Sequence, residues 1–251
     1  MNRYFVYFSY LGSNYHGWQI QPNAHTVQAA LEKGIGLIHQ EKIALTAAGR
    51  TDAGVHAKMM VAHFDTVEKW DKRSFIHRMN MVLPNDIGVF DLKAVKADAH
   101  ARFDAEKRTY QYLICKAKNP FLYKRAYQYN HKLDVDAMNA AAKLLLGEKD
   151  FSCFSKSRTQ TFTNNCNIYF AAWKWDGELL VFTITANRFL RNMVRAIVGT
   201  LIEVGEDKRK VESIPALIKA KKRSESGMSV SADGLYLNHI EYPENCFINE
   251  N

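Results

Sequence analysis

No stretch of the sequence approaches the roughly 18 consecutive apolar residues that a membrane-spanning helix needs, so a membrane protein is not expected. The opening residues, MNRYFVYFSY, lack the basic start, apolar middle and small-residue cleavage site of a secretory leader, and a cytoplasmic location is expected. Cysteine is scarce and scattered. Cys115, Cys153, Cys166 and Cys246 form no Cys-x-x-Cys pair, which excludes a zinc knuckle and a dense disulfide framework and leaves reduced, structural thiols. There is no Walker loop and no nucleophile elbow, so nucleoside triphosphate hydrolysis and ordinary acyl hydrolysis lack their signatures, and no nucleotide cofactor is expected. His16, His56 and His63 could gather around a metal, yet no helix carries a His-x-x-x-His pair, and no metal site is expected. Low-complexity segments and a repeat period are also missing.

What is present is an ordinary globular composition, 47% hydrophobic and 24% charged over 251 residues, long enough for one large or two modest domains. The formal net charge is +8. Such a surplus attracts a polyanion, with nucleic acid the obvious candidate, although 26 acidic residues are also present and basicity alone fits simple solubility.

The patterning predicts two lobes, residues 1–100 and 101–251. In the first, RYFVYFSYLG reads as a strand, and Thr26 caps a helix in which Val27, Ala30, Leu31, Ile35 and Ile38 recur at helical spacing. Gly34 and Gly36 inside it read as close packing. Two strands, KIALTAAG and KMMVAHFDTV, then flank a loop, followed by a helix over Ser74–Val82 and a strand over Ile87–Val95. The second lobe restarts with a strand in HARFDAEKRTYQYLICKA and a helix over Asp134–Leu146 closed by Gly147. Asp176-Gly177 between alternating runs signals a hairpin. Asn187 then caps a largely buried helix with Phe189, Leu190, Met193, Val194, Ile197 and Leu201 on its apolar face. A short basic helix from Pro215 and a strand in GLYLNHIEY complete the lobe. On the long helix, the spacing of Arg188, Arg191 and Arg195 predicts a basic stripe on one side.

The segment AAGRTDAGVHA, residues 47–57, holds one carboxylate between glycines. Gly49 and Gly54 allow tight backbone geometry, so Asp52 can be held at a cleft with the cation of Arg50 two residues away. A hairpin loop with a plain Arg50–Asp52 surface ion pair fits the same residues, and the local chemistry leaves both readings open. Asp65, Asp86 and Asp104 show no spacing that makes one of them a second acid, so an enzyme here would work with a single carboxylate. Tyr15, His16 and Trp18, and likewise Tyr110 and Tyr112 beside Lys107 and Arg108, offer rings and cations for bases and phosphates. Alternating aromatics also suit a half-buried strand, which favours core for Tyr110 and Tyr112.

Taken in order, HGWQIQP, TVQAALE, GRTDAGVHA, LPNDI, ARFDAEKRTYQY, DFSCFS, ANRFLRNMVRAIVG and GLYL resemble the A-type tRNA pseudouridine synthase family over nearly the whole chain. The resemblance implies an α+β fold: two related lobes, a mixed, largely antiparallel sheet flanked by helices, and a central RNA-binding cleft. It implies isomerisation of uridine to pseudouridine on the three-prime side of the tRNA anticodon arm, no cofactor or metal, and a homodimer. Carried onto this chain, it makes Asp52 the catalytic nucleophile and Arg195 its ion-pair partner, with Tyr110, Arg50, Arg188, Arg191 and Leu235 at the substrate. Whether Asp52 attacks the ribose, attacks the base or removes a ribose proton stays open. The chain departs from the family at YLGSNY, where Tyr-Asp-Gly is usual, and at Lys149, where His is common; both concern local RNA contacts. Rival readings are the same chemistry at another RNA site, a noncatalytic RNA-binding protein, and a nucleoside hydrolase.

Overall fold

The computed structural model describes residues 1–40, 42–156 and 162–248. The chain forms two units, Met1–Glu106 with Tyr236–Asn251, and Lys107–Leu235.

In the first unit β1 (Asn2–Tyr10) lies between two antiparallel neighbours, β3 (His56–Thr66) and β4 (Ile87–Val95). Tyr4–Phe8 are buried without alternation, so both faces of this strand are covered, which is why it reads as a nearly continuous apolar run. The short strand β2 (Thr46–Ala47) pairs with β3 on Ala62 and His63. Helix α1 (Val27–His39) starts where Thr26 Oγ1 accepts the Ala29 N–H, as its spacing predicts. Helix α2 (Lys72–Val82) starts two residues before the expected Ser74, because Asp71 accepts the Ser74 N–H at 2.7 Å and is the true cap. Gly34 is a packing glycine: a Cβ there would stand 3.2 Å from Leu83 Cδ2 and 3.3 Å from Met79 Cε.

In the second unit the strand order is β5 (Lys107–Cys115), β9 (Leu179–Ala186), β8 (Asn165–Asp176), β7 (Gly147–Asp150), with β6 (Tyr127–Gln128) beside β5. The β8–β9 hairpin turns through Gly177-Glu178, with Gly177 at φ +55 in the first central position. Helices α3 (Val135–Lys143), α4 (Met193–Gly205) and α5 (Ile214–Ala220) complete the unit, and α4 is buried over most of its surface. Within each unit the described pairings are antiparallel except for β5–β6 and for β10 (Leu235–Glu241) against β3, so the fold is α+β with mixed, largely antiparallel sheet.

Five further expectations are corrected. The long helix begins at Met193, not after Asn187. Asn187 N donates to Asn167 O at 3.1 Å and its Oδ1 accepts the Asn167 N–H at 2.8 Å, so it extends the β8–β9 ladder instead of capping a helix. Arg188 and Arg191 therefore lie in the connection before α4, and the stripe they were expected to share with Arg195 does not exist. KIALTAAG is strand only at Thr46–Ala47, and α3 ends at Lys143, with Gly147 opening β7 at φ +90. The tail also belongs elsewhere than a single cut at residue 100 implies: Tyr236 and Leu237 pair in parallel with His56 and Ala57, and Ile248 N donates to Ala94 O, which joins residues 236–251 to the first unit.

Candidate active site

Asp52 sits on the connection from β2 to β3. Ala48 N still donates to Val61 O at 2.8 Å, so the chain leaves the sheet only at Gly49. Val55 N donates to Asp52 O at 3.2 Å and closes a four-residue turn around Ala53-Gly54, with Gly54 at φ +81. This is the second central position of a type II turn, where a side chain is strained. Gly49 differs: a Cβ there would meet nothing within 4 Å. Only one of the two glycines is required by the turn.

The turn is built against residues 10–18. The Tyr10 and Thr51 hydroxyls are 2.8 Å apart, Gly54 N donates to Tyr15 O at 3.3 Å, and Trp18 N donates to Thr51 O at 3.2 Å. Gly17 has φ +86, and a Cβ on it would stand 2.4 Å from Thr51 O; one on Gly12 would stand 2.0 Å from Val55 O. HGWQIQP and GRTDAGVHA are thus two halves of one backbone construction. Tyr15 and Trp18 are buried, at 3% and 2% exposure, and Trp18 stacks on Phe8, so both are core and do not present a face to a base. Within this frame Asp52 is half-buried and Arg50 exposed.

The other acids are occupied structurally. Asp65 takes a two-pronged bond from its cross-strand partner Arg3, Nε and Nη2 each at 2.7 Å, and the guanidinium holds its carboxyl below the usual range. Asp86 accepts the Tyr15 hydroxyl at 2.5 Å, and Asp104 accepts the His100 N–H at 2.7 Å. Two of the three histidines are likewise committed, and His16 is exposed. His56 Nδ1 accepts the Gly12 N–H at 3.0 Å while its ring stacks on Tyr236, and His63 Nδ1 accepts the Ala101 N–H at 3.1 Å. Burial, with the neighbouring His100 and Arg3, pushes His63 down to about 4. Among the described residues no group of three or more His, Cys, Asp or Glu side chains is placed to hold a metal ion.

Tyr110, Arg188, Arg191, Arg195 and Leu235 belong to the second unit. Tyr110 is half-buried on β5 and meets Phe189 edge-on at 5.1 Å, whereas Tyr112 is fully buried and donates to Ser231 O at 2.8 Å. The core reading holds for Tyr112 and only partly for Tyr110. Arg195, in the first turn of α4, donates through Nε to Val230 O at 2.7 Å, and Val230 N donates back to Arg195 O at 3.3 Å. Arg188 is half-buried, Arg191 exposed, and Leu235 buried at the start of β10. Sequence reasoning missed Thr51, Tyr10 and Val230, whose importance lies in contacts far apart in the chain.

The chain is similar to known proteins over nearly its whole length. A family model described as tRNA pseudouridine synthase matches residues 6–104 and 141–243. Proteins named tRNA pseudouridine synthase A are 46% identical over 248 residues in Parabacteroides distasonis, covering 98% of each chain, and 48% identical over 253 residues in Bacteroides thetaiotaomicron, covering 100% of this chain and 94% of that one. The counterpart in Acetivibrio thermocellus is 41% identical over 235 residues, covering 93% and 96%. An α+β fold of mixed sheet, matched over this length to proteins of that name, defines an RNA-modifying isomerase. The chain belongs to the tRNA pseudouridine synthase family. Arg50, Asp52, Arg188, Arg191, Arg195 and Leu235 fall inside the matched ranges, and Tyr110 outside them.

Proposed function

We propose that this enzyme converts uridine to pseudouridine on the three-prime side of the tRNA anticodon arm, with Asp52 as its single catalytic carboxylate. In that reaction the N1–C1′ bond breaks, the base turns while held, and a C5–C1′ bond forms. The C5 proton leaves and N1 takes one up, so the nucleoside keeps its composition. A target inside a helix must first be extruded, and a carboxylate on a rigid turn is suited to meet it. The observation that carries the reading is the Asp52 turn itself: Gly54 and Gly17 have positive φ, and Thr51 is bonded through both side chain and backbone, so the carboxylate is preorganised. Arg195 acts as the ion-pair partner of Asp52, Tyr110 lies against the base, and Arg50, Arg188, Arg191 and Leu235 contact the RNA. The enzyme works in the cytoplasm as a homodimer that needs no cofactor, and light scattering at micromolar concentration checks the dimer.

The decisive experiment is Asp52→Asn, which keeps size and loses charge and nucleophilic oxygen. The folded variant is expected to bind tRNA and release no tritium from C5-labelled uridine, with melting measured alongside. Release at the parent rate sinks the assignment. Free uracil among the products would instead indicate a hydrolase.

A further inference from the structure

The segment Arg223–Val230 is fastened to α4 more tightly than a surface connection needs. A Cβ on Gly199 would stand 1.8 Å from Met228 O, and one on Gly227 would stand 2.7 Å from Thr200 N, so the two backbones touch. Gly227 N donates to Thr200 Oγ1 at 2.9 Å. Arg223 organises the segment from within: Nη1 donates to Ser226 Oγ at 2.7 Å and to Gly227 O at 3.1 Å, and Nη2 donates to Ser229 Oγ at 2.8 Å. Ser229 Oγ accepts a second bond, at 2.5 Å, from Nδ2 of Asn192, the residue at φ +66 that turns the chain into α4. One residue further on, Val230 clasps Arg195 through both its carbonyl and its N–H.

We propose that Arg223 is a positioning residue for catalysis: through Ser229 it locks the Asn192 turn and the Val230 carbonyl, and these two fix the direction in which Arg195 presents its guanidinium. The physical basis is the planarity of that group. With Nε bonded to Val230 O, the rigid plane carries its Nη edge with that bond, and a shift of the carbonyl swings it. The fork of Arg223 reaches Ser226, Gly227 and Ser229 together, which the single ammonium of a lysine cannot do. The inference rests on the proposed role of Arg195 beside Asp52.

The test is a double-mutant cycle on single-turnover tritium release, with tRNA affinity measured in parallel. Arg223→Lys keeps the charge, so affinity is expected to stay within about twofold, while the rate falls between about tenfold and a hundredfold, the range that a misplaced group produces. In an Arg195→Gln background the same substitution is expected to change the residual rate no further. Should Arg195→Gln alone leave the rate at the parent level, the role of Arg195 fails. Should it slow the reaction while Arg223→Lys slows both backgrounds equally, or should Arg223→Lys leave the parent rate unchanged, positioning through Arg195 is overturned. Where Arg223→Lys lowers the folded fraction, Ser229→Ala, which deletes only the bridging hydroxyl, carries the same cycle, and Ser229→Thr is expected to restore the rate.

Discussion

At the scale of single residues, Tyr110 tests the proposed chemistry and His63 the support beneath it. Tyr110 is half-buried and its ring meets Phe189 edge-on, a contact that a phenylalanine would keep. Tyr110→Phe is therefore expected to lower single-turnover rate more than tRNA affinity; equal losses in both would make Tyr110 a binding residue only. His63 is a support. Its folded pKa is depressed to about 4, so as pH falls from about 6.5 the unfolded chain takes up a proton that the folded chain refuses. Its contribution to stability is complete above about pH 6.5 and is lost progressively down to about 4. Urea midpoints across this window are expected to fall with pH, and His63→Asn, whose amide oxygen can accept the Ala101 N–H, is expected to flatten the slope.

At the scale of elements, the Asp52 turn depends on its neighbour loop. Gly17→Ala meets both a positive φ and the Thr51 carbonyl, and is expected to cost about 3 kcal/mol in urea unfolding and to lower activity with it. Gly49→Ala, in open space three residues from Asp52, is expected to be neutral or slightly stabilising. Equal costs for the two would mean that the loop is not held by residues 12–18. The sequence shows both glycines alike, because a composition pattern carries no information on which glycine faces another backbone.

At the scale of the whole molecule, charge governs encounter. The +8 surplus predicts that tRNA binding is dominated by phosphate contacts, and the dissociation constant is expected to rise by about two orders of magnitude or more between about 50 and about 200 mM salt. A flat titration would remove electrostatics from the account. The four cysteines, all buried, fit the reduced structural role read from their spacing, and burial raises Cys153 to about 12 and Cys166 to about 11.

By itself the sequence determined what short-range periodicity and local hydrogen bonds control: α1 with its Thr26 cap, β4 at Ile87–Val95, the hairpin around Gly177, and the segment carrying Asp52. Tertiary structure decided whatever depends on a partner distant in the chain. Asn187 has a fair capping context, yet Asn167, twenty residues earlier, bonds it on both sides, and the helix starts later. The strand in GLYLNHIEY was legible, but its place beside β3 was not, because parallel pairing with His56 and Ala57 leaves no mark in the local pattern. Arg195 was legible as a cation; the direction of its guanidinium is set by Val230, through a bond that spacing cannot reveal.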